Sequence, residues 1–163
     1  MVLQTQTFNN FLAKSPPELT FLIASSSINE PMRYSPIFLY GEAAINKGYL
    51  LEAIVDKFQK IHKKPALYAT AEQFINDFVQ GMRENKKALF NQKYRSNALL
   101  VIDGIQLFAG RKLSQIELLR TLKEFQIQDR QIMLTADNHP YLIKKLDRDL
   151  KDFCQGGLMF EIR

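Results

Sequence analysis

The 163-residue sequence is 46% hydrophobic and 24% charged, the balance of one folded globular domain, which excludes a disordered or low-complexity chain and leaves too little length for two ordinary domains. Its 22 basic and 17 acidic residues leave a net charge of +5, compatible with an anionic partner but short of a strongly basic nucleic-acid binder. One cysteine, Cys154, excludes an internal disulfide, two distant histidines, His62 and His139, give no metal-ligand spacing, and no run approaches the ~20 apolar residues that cross a bilayer, so a cytoplasmic protein with no membrane partner is expected.

Ser15-Pro16-Pro17-Glu18 offers a capping serine, prolines suited to a first helical turn and a glutamate three residues on, which predicts a helix to about residue 28. An apolar run at 36–40 reads as the first strand. Leu50, Leu51, Ile54, Phe58 and Ile61 recur at helical spacing and predict a helix over roughly 47–62 with its apolar stripe on a sheet. A second strand at 66–69 leads to Thr70, which caps a helix carrying Phe74, Ile75, Phe78, Val79 and Met82, and a short charged helix follows over about 85–94. Phe74, Phe78 and Met82 are expected in the core. After a third strand at 98–102, Ser114 and Glu117 read as a second capping box opening a helix to about residue 128, and strands at 131–134 and 158–162 close the pattern around one further helix.

These strand runs are near-continuous in hydrophobicity rather than alternating, as strands covered on both faces are. The expected fold is therefore α/β: a five-stranded, mainly parallel sheet sandwiched by helices, with ligands held at the carboxyl ends of the strands.

The loop after the first strand, Gly41-Glu42-Ala43-Ala44-Ile45-Asn46-Lys47-Gly48, stands where a phosphate loop of the form G-x-x-x-x-G-K-[ST] would stand. Such a loop needs glycines whose backbone N–H groups wrap phosphate, a lysine that reaches the outer phosphates, and a hydroxyl that ligates magnesium. Gly41 and Lys47 meet two of these needs, Asn46 replaces the second glycine with a residue that tolerates left-handed angles, and Gly48 replaces the hydroxyl. Glu42 adds a carboxylate where phosphates would approach. The run Leu99-Leu100-Val101-Ile102-Asp103-Gly104 has the form of the second nucleotide motif, with Asp103 at the magnesium-shell position and Gly104 where a second acid would orient the attacking water. From the residues alone, Lys47 also reads as a solvated first-turn lysine, and Asp103 as a residue that accepts backbone hydrogen bonds or caps a turn.

Thr7-Phe8-Asn9-Asn10-Phe11, the run 36–41, the run 85–96 ending Lys93-Tyr94-Arg95-Ser96, and the run 98–110 containing Ile105-Gln106-Leu107-Phe108-Ala109-Gly110 resemble, in order, the AAA+ ATPase domain of the bacterial replication initiator DnaA. The resemblance covers about residues 7–162 and implies a P-loop NTPase core in a single domain over 1–163. It implies a nucleotide site at Gly41, Asn46, Lys47, Asp103 and Asp137, the last at the sensor aspartate position. It also implies a single-stranded DNA surface on the helix pair between the second and third strands and on the loop after the third, where Val79, Arg111 and Lys112 match and Leu113 stands at a basic position.

The departures shape the functional expectation. An ungapped alignment over 143–162 puts Phe153 at the arginine finger, and the adenine-contacting segment around 13–17 lacks its usual glycine and asparagine. The family's lid and helix-turn-helix would follow the last strand, so a sequence ending at Arg163 is expected to lack both. The expectation is a non-enzymatic core with a vestigial nucleotide site, no catalytic residue, no metal and no cofactor beyond weak ATP or ADP. It would act by binding in replication initiation or its regulation, with a DnaA-type initiator or another replication protein as partner. The alternatives are a residual nucleotide binder without turnover and a single-stranded DNA-binding module. The lysines at 60, 63, 64, 86, 87 and 93 are expected on solvated helix faces, His139 in a turn before Pro140, and Cys154 as an ordinary thiol.

Overall fold

The computed structural model describes residues 34–42 and 48–162; the helix expected after Ser15, the segment around 13–17, and Asn46 and Lys47 lie outside the described residues. The strands are β1 (Ile37–Tyr40), β2 (Ala66–Thr70), β3 (Leu99–Asp103), β4 (Gln131–Ala136) and β5 (Leu158–Glu161). Between them run α1 (Gly48–His62), α2 (Ala71–Arg83), α3 (Lys87–Arg95), a 3-10 segment (Ile105–Phe108), α4 (Lys112–Ile127), a 3-10 turn (Pro140–Leu142) and α5 (Arg148–Cys154). The five strands pair in the order β2-β3-β4-β1-β5, and every pairing is parallel.

Because strand side chains alternate between faces, an unbroken apolar strand must be covered on both. Ile37, Leu39, Leu99, Val101 and Met133 pack with Leu51, Ile54 and Phe58 of α1 on one face. Phe38, Leu100, Ile102, Ile132 and Leu134 pack on the other with Phe74 and Phe78 of α2, Phe90 and Tyr94 of α3, Leu118, Leu122 and Phe125 of α4, and Leu150 of α5. Among the described residues, no helix is long and apolar enough to cross a membrane.

Several local expectations are corrected. Met82 is 57% exposed and Val79 38%, because the buried stripe of α2 runs through Phe74, Ile75, Phe78 and Gly81, and Gly81 is the residue that faces α3. Ile61, 48% exposed, likewise leaves the stripe of α1. α4 starts at Lys112 without a side-chain cap, so Ser114 lies inside the helix and is buried. The Glu117 carboxylate does not return to cap a backbone N–H: the Arg95 guanidinium takes it at 2.7 Å and Lys87 approaches at 3.5 Å, so Lys87 is not a purely solvated lysine. By contrast Thr70 forms the expected capping box with Gln73, and His139 caps its turn by accepting from the Tyr141 N–H. Burial pushes the Cys154 thiol up to about 12, which keeps it protonated and unreactive.

α2 and α3 are held together by aromatic packing and one carboxylate. Phe74 meets Phe90 and Tyr94 edge to face at 5.1 and 4.8 Å, while Asp77 accepts from the Tyr94 hydroxyl at 2.6 Å and from Lys93 at 2.7 Å. Partial burial raises the Asp77 carboxyl, but the hydrogen bonds from Lys93 and Tyr94 and the Lys93 charge outweigh it and hold the group below its ordinary value of 3.8. A carboxyl depressed in the folded state contributes stability that is present above the unfolded value and is lost as pH falls through the folded one. Urea midpoints measured from neutral pH down to acid should therefore fall less steeply below pH 3.8 in Asp77→Asn than in the unaltered protein; equal acid slopes would show that Asp77 contributes nothing.

Candidate nucleotide site and nucleic-acid surface

The order β3-β4-β1 brings three separated segments together at the carboxyl end of the sheet. Gly41, just past β1, takes φ +118 and donates its N–H to the Ala136 carbonyl at 3.2 Å. A Cβ there would lie 2.4 Å from the Ile162 carbonyl oxygen, so only glycine lets the chain turn this close to the end of β5. Asp103 ends β3 opposite Thr135 of β4, and Asp137 follows two residues beyond Thr135. The structure thus gathers Gly41, Asp103 and Asp137 at the carboxyl ends of neighbouring strands, where a ligand of this architecture sits.

Asp103 is held from two sides. Its Oδ2 accepts a hydrogen bond from the Tyr68 hydroxyl at 2.7 Å, and its Oδ1 accepts one from the Thr135 hydroxyl, which itself accepts the Gly104 N–H at 3.1 Å. Tyr68 lies opposite Val101 in the sheet, hence on the same face as Asp103 two residues further along. Burial, then the hydrogen bond and charge of Asp103, push the Tyr68 phenol well above its ordinary range, so it stays a proton donor. Gly104 turns the chain at φ +94 into the 3-10 segment and brings no second carboxylate. Gly48, the first residue of α1, packs against the same group: a Cβ there would lie 2.7 Å from the Tyr68 hydroxyl and 3.7 Å from Asp103 Oδ2. Asp137 is exposed, and its N–H donates to the Gln106 side chain at 3.3 Å. Phe153 is half-buried against the larger core layer.

Tyr68 and Thr135 were not legible as site residues, since both read as strand interior. Their signal lies in the register, which sets them beside Asp103.

The residues expected to meet nucleic acid lie on two packed elements. Val79 and Met82 project from α2, which packs against the 3-10 segment leading to Arg111 and Lys112. Arg111 and Lys112 are exposed at the start of α4, beside Leu113 at 71% exposure. The nearby lysines are matched by the helices' own acids: Lys93 by Asp77, Lys86 by Glu84 and Lys87 by Glu117. A cavity of about 590 Å³ lies at the amino ends of β2, β3 and β4, lined by Lys64, Ser96, Asn97 and Arg130 among others, at the opposite end of the sheet from Asp103.

Residues 2–161 match the family model of the bacterial DnaA ATPase domain. The chain is 34% identical over 158 residues to the chromosomal replication initiator protein DnaA of Nautilia profundicola, covering 96% of this chain and 36% of that protein. It is 34% identical over 157 residues to the DnaA of Helicobacter hepaticus, covering 96% and 34%. It therefore spans about a third of the length of these curated relatives. Among solved structures it resembles domain III of Thermotoga maritima DnaA, with a TM-score of 0.88 at 30% identity over 98% of this chain and 68% of that one. A replication initiator DnaA bound to AMPPCP and single-stranded DNA gives 0.88 at 25% identity over 100% of this chain and 51% of that one.

Proposed function

The chain belongs to the bacterial DnaA ATPase domain family, and from that premise we propose that it is a core without nucleotide turnover that acts by binding, as a regulator or accessory partner of replication initiation. The observation that carries this reading is the state of Asp103. Its two carboxylate oxygens accept hydrogen bonds from Tyr68 and Thr135, and the residue that follows is Gly104. A hydrolysing site of this class places a second acid there to orient water, and a neighbour's arginine to stabilise the transferring phosphoryl group. Phe153, at the position the family gives to that arginine, offers a ring in place of the charge. Gly41, Asn46, Lys47, Asp103 and Asp137 hold ATP or ADP weakly at most in this reading.

The partner that fits is a DnaA-type initiator. A core with no arginine to offer a neighbour's nucleotide associates through packed surfaces alone, and so occupies or ends an assembly without triggering hydrolysis in it. Mixing the protein with a full-length initiator is expected to reduce or redirect that initiator's assembly on DNA, read by co-sedimentation and by its ATP turnover, while the thermal midpoint of the protein alone hardly moves in millimolar ATP and magnesium. Unchanged assembly and turnover at excess protein would remove the regulatory reading; a large nucleotide-dependent rise in midpoint would restore a functional nucleotide site.

A second reading, a single-stranded DNA-binding module, is supported by the exposure of Met82 next to Val79 and by the exposed cations at Arg111 and Lys112. It requires an oligonucleotide shift that weakens with salt and is lost in a joint Arg111→Ala, Lys112→Ala variant.

A further inference from the structure

In the P-loop architecture, a divalent cation sits between the hydroxyl that follows the loop lysine and the carboxylate ending the third strand. Here one wall lacks its side chain, at Gly48, and the other, Asp103, is hydrogen-bonded to Tyr68. Position 48 has no side chain, and the atom nearest to where one would begin is the Tyr68 hydroxyl, 2.7 Å from an ideal Cβ. A carbon cannot approach an oxygen that closely, so any residue larger than glycine at 48 has to displace Tyr68. The same hydroxyl lies 2.7 Å from Asp103 Oδ2, leaving between them the length of one hydrogen bond. The Thr135 hydroxyl donates to the other carboxylate oxygen. Magnesium requires six oxygens at about 2.0–2.1 Å and keeps several waters among them. The residues present do not fit such an ion.

We propose that Gly48 and Tyr68 form a matched pair that closes the divalent-cation place: the glycine makes room for the phenol, and the phenol oxygen stands in the space between position 48 and the Asp103 carboxylate where a cation would sit. The inference rests on the reading of this chain as a core without turnover and deepens it, because any nucleotide held beside Asp103 is then held free of metal. Tyr68 acts here as a positioning residue that fixes the Asp103 carboxylate. The phenol, kept protonated by burial and by its carboxylate partner, presents the same donor across the physiological range.

The pair is tested by a cycle of variants in the full chain. Gly48→Ala should lower the thermal midpoint by a few degrees in the unaltered protein. In the Tyr68→Phe background the same change should be neutral or raise the midpoint, since the clashing oxygen is gone and alanine is the better helix former. Folding of Gly48→Ala only in the Tyr68→Phe background would support the pair still more directly. An equal loss in both backgrounds would overturn it. Manganese, followed by its electron paramagnetic resonance signal with and without ADP, is the cation probe: no bound signal is expected in the unaltered protein. A bound signal that Asp103→Asn abolishes would overturn the closure while leaving the absence of turnover intact. Phosphate release that persists in a metal chelator would do the reverse, contradicting the absence of turnover and sparing the pair.

Discussion

Purified protein given ATP and magnesium is expected to release phosphate no faster than the uncatalysed background. Three contributions to phosphoryl transfer are missing in this reading, and they act at different points of the reaction. Gly48 supplies no hydroxyl to a metal, Gly104 no carboxylate to the attacking water, and Phe153 no positive charge to the transferring group of a neighbour. A trans-acting arginine alone is worth roughly a thousandfold or more in this chemistry, so the combined loss carries turnover below detection. Single reversals such as Gly104→Asp should not recover activity, because the restored acid would still lack both metal and arginine. The decisive control is Lys47→Ala. Phosphate release that this variant abolishes would come from the chain's own loop and would overturn the expectation.

Which parts of the fold could be read from the residues follows from what each signal measures. Unbroken apolar strands report burial on both faces, and the parallel sheet with helices on each side is what that burial requires. The same signal hides Tyr68 and Thr135, whose hydroxyls matter only because the register sets them against Asp103. Loss of a side chain at Gly48 is visible in the sequence as a missing ligand; that another residue fills the space is a three-dimensional fact. Ser114 and Glu117 have the spacing of a capping box, yet Glu117 forms no such box, because Arg95, far back in the sequence, offers its carboxylate a charged partner that a backbone N–H does not match. Met82 shows the limit of periodicity. Its spacing from Phe74 and Phe78 suits a core stripe, but Gly81 carries the stripe and lets α3 approach.

The run Lys93-Tyr94-Arg95-Ser96, which carries much of the sequence resemblance, has a mechanical reading that leads to the second large effect. Lys93 and Tyr94 reach back to Asp77 on α2, and Arg95 reaches forward to α4, placing one N–H group 2.7 Å from Glu117 and another 3.0 Å from Glu124. Three helices are thus tied at one short segment. Glu117 is 2% exposed, so its charge is tolerated only while it is paired. Removing the partner of a buried ion costs far more than the pair contributes over an apolar replacement, about 3–5 kcal/mol. Lys87, 3.5 Å from the other Glu117 oxygen and more exposed, offsets part of that loss. Arg95→Ala is therefore expected to lower stability by about 3 kcal/mol, or on the order of 10 °C in thermal midpoint for a chain of this length. The buried charge, rather than lost packing, is the cause, so adding Glu117→Gln to Arg95→Ala should recover a large share of the midpoint. No recovery would assign the loss to packing of the arginine stem instead. Because α2 and α3 carry Val79 and Met82 and α4 begins at Arg111 and Lys112, the tie also fixes how these surfaces face one another. If the protein binds single-stranded DNA, Arg95→Ala should weaken that binding below its own unfolding temperature, although Arg95 is spent on Glu117 and Glu124 and not on phosphate.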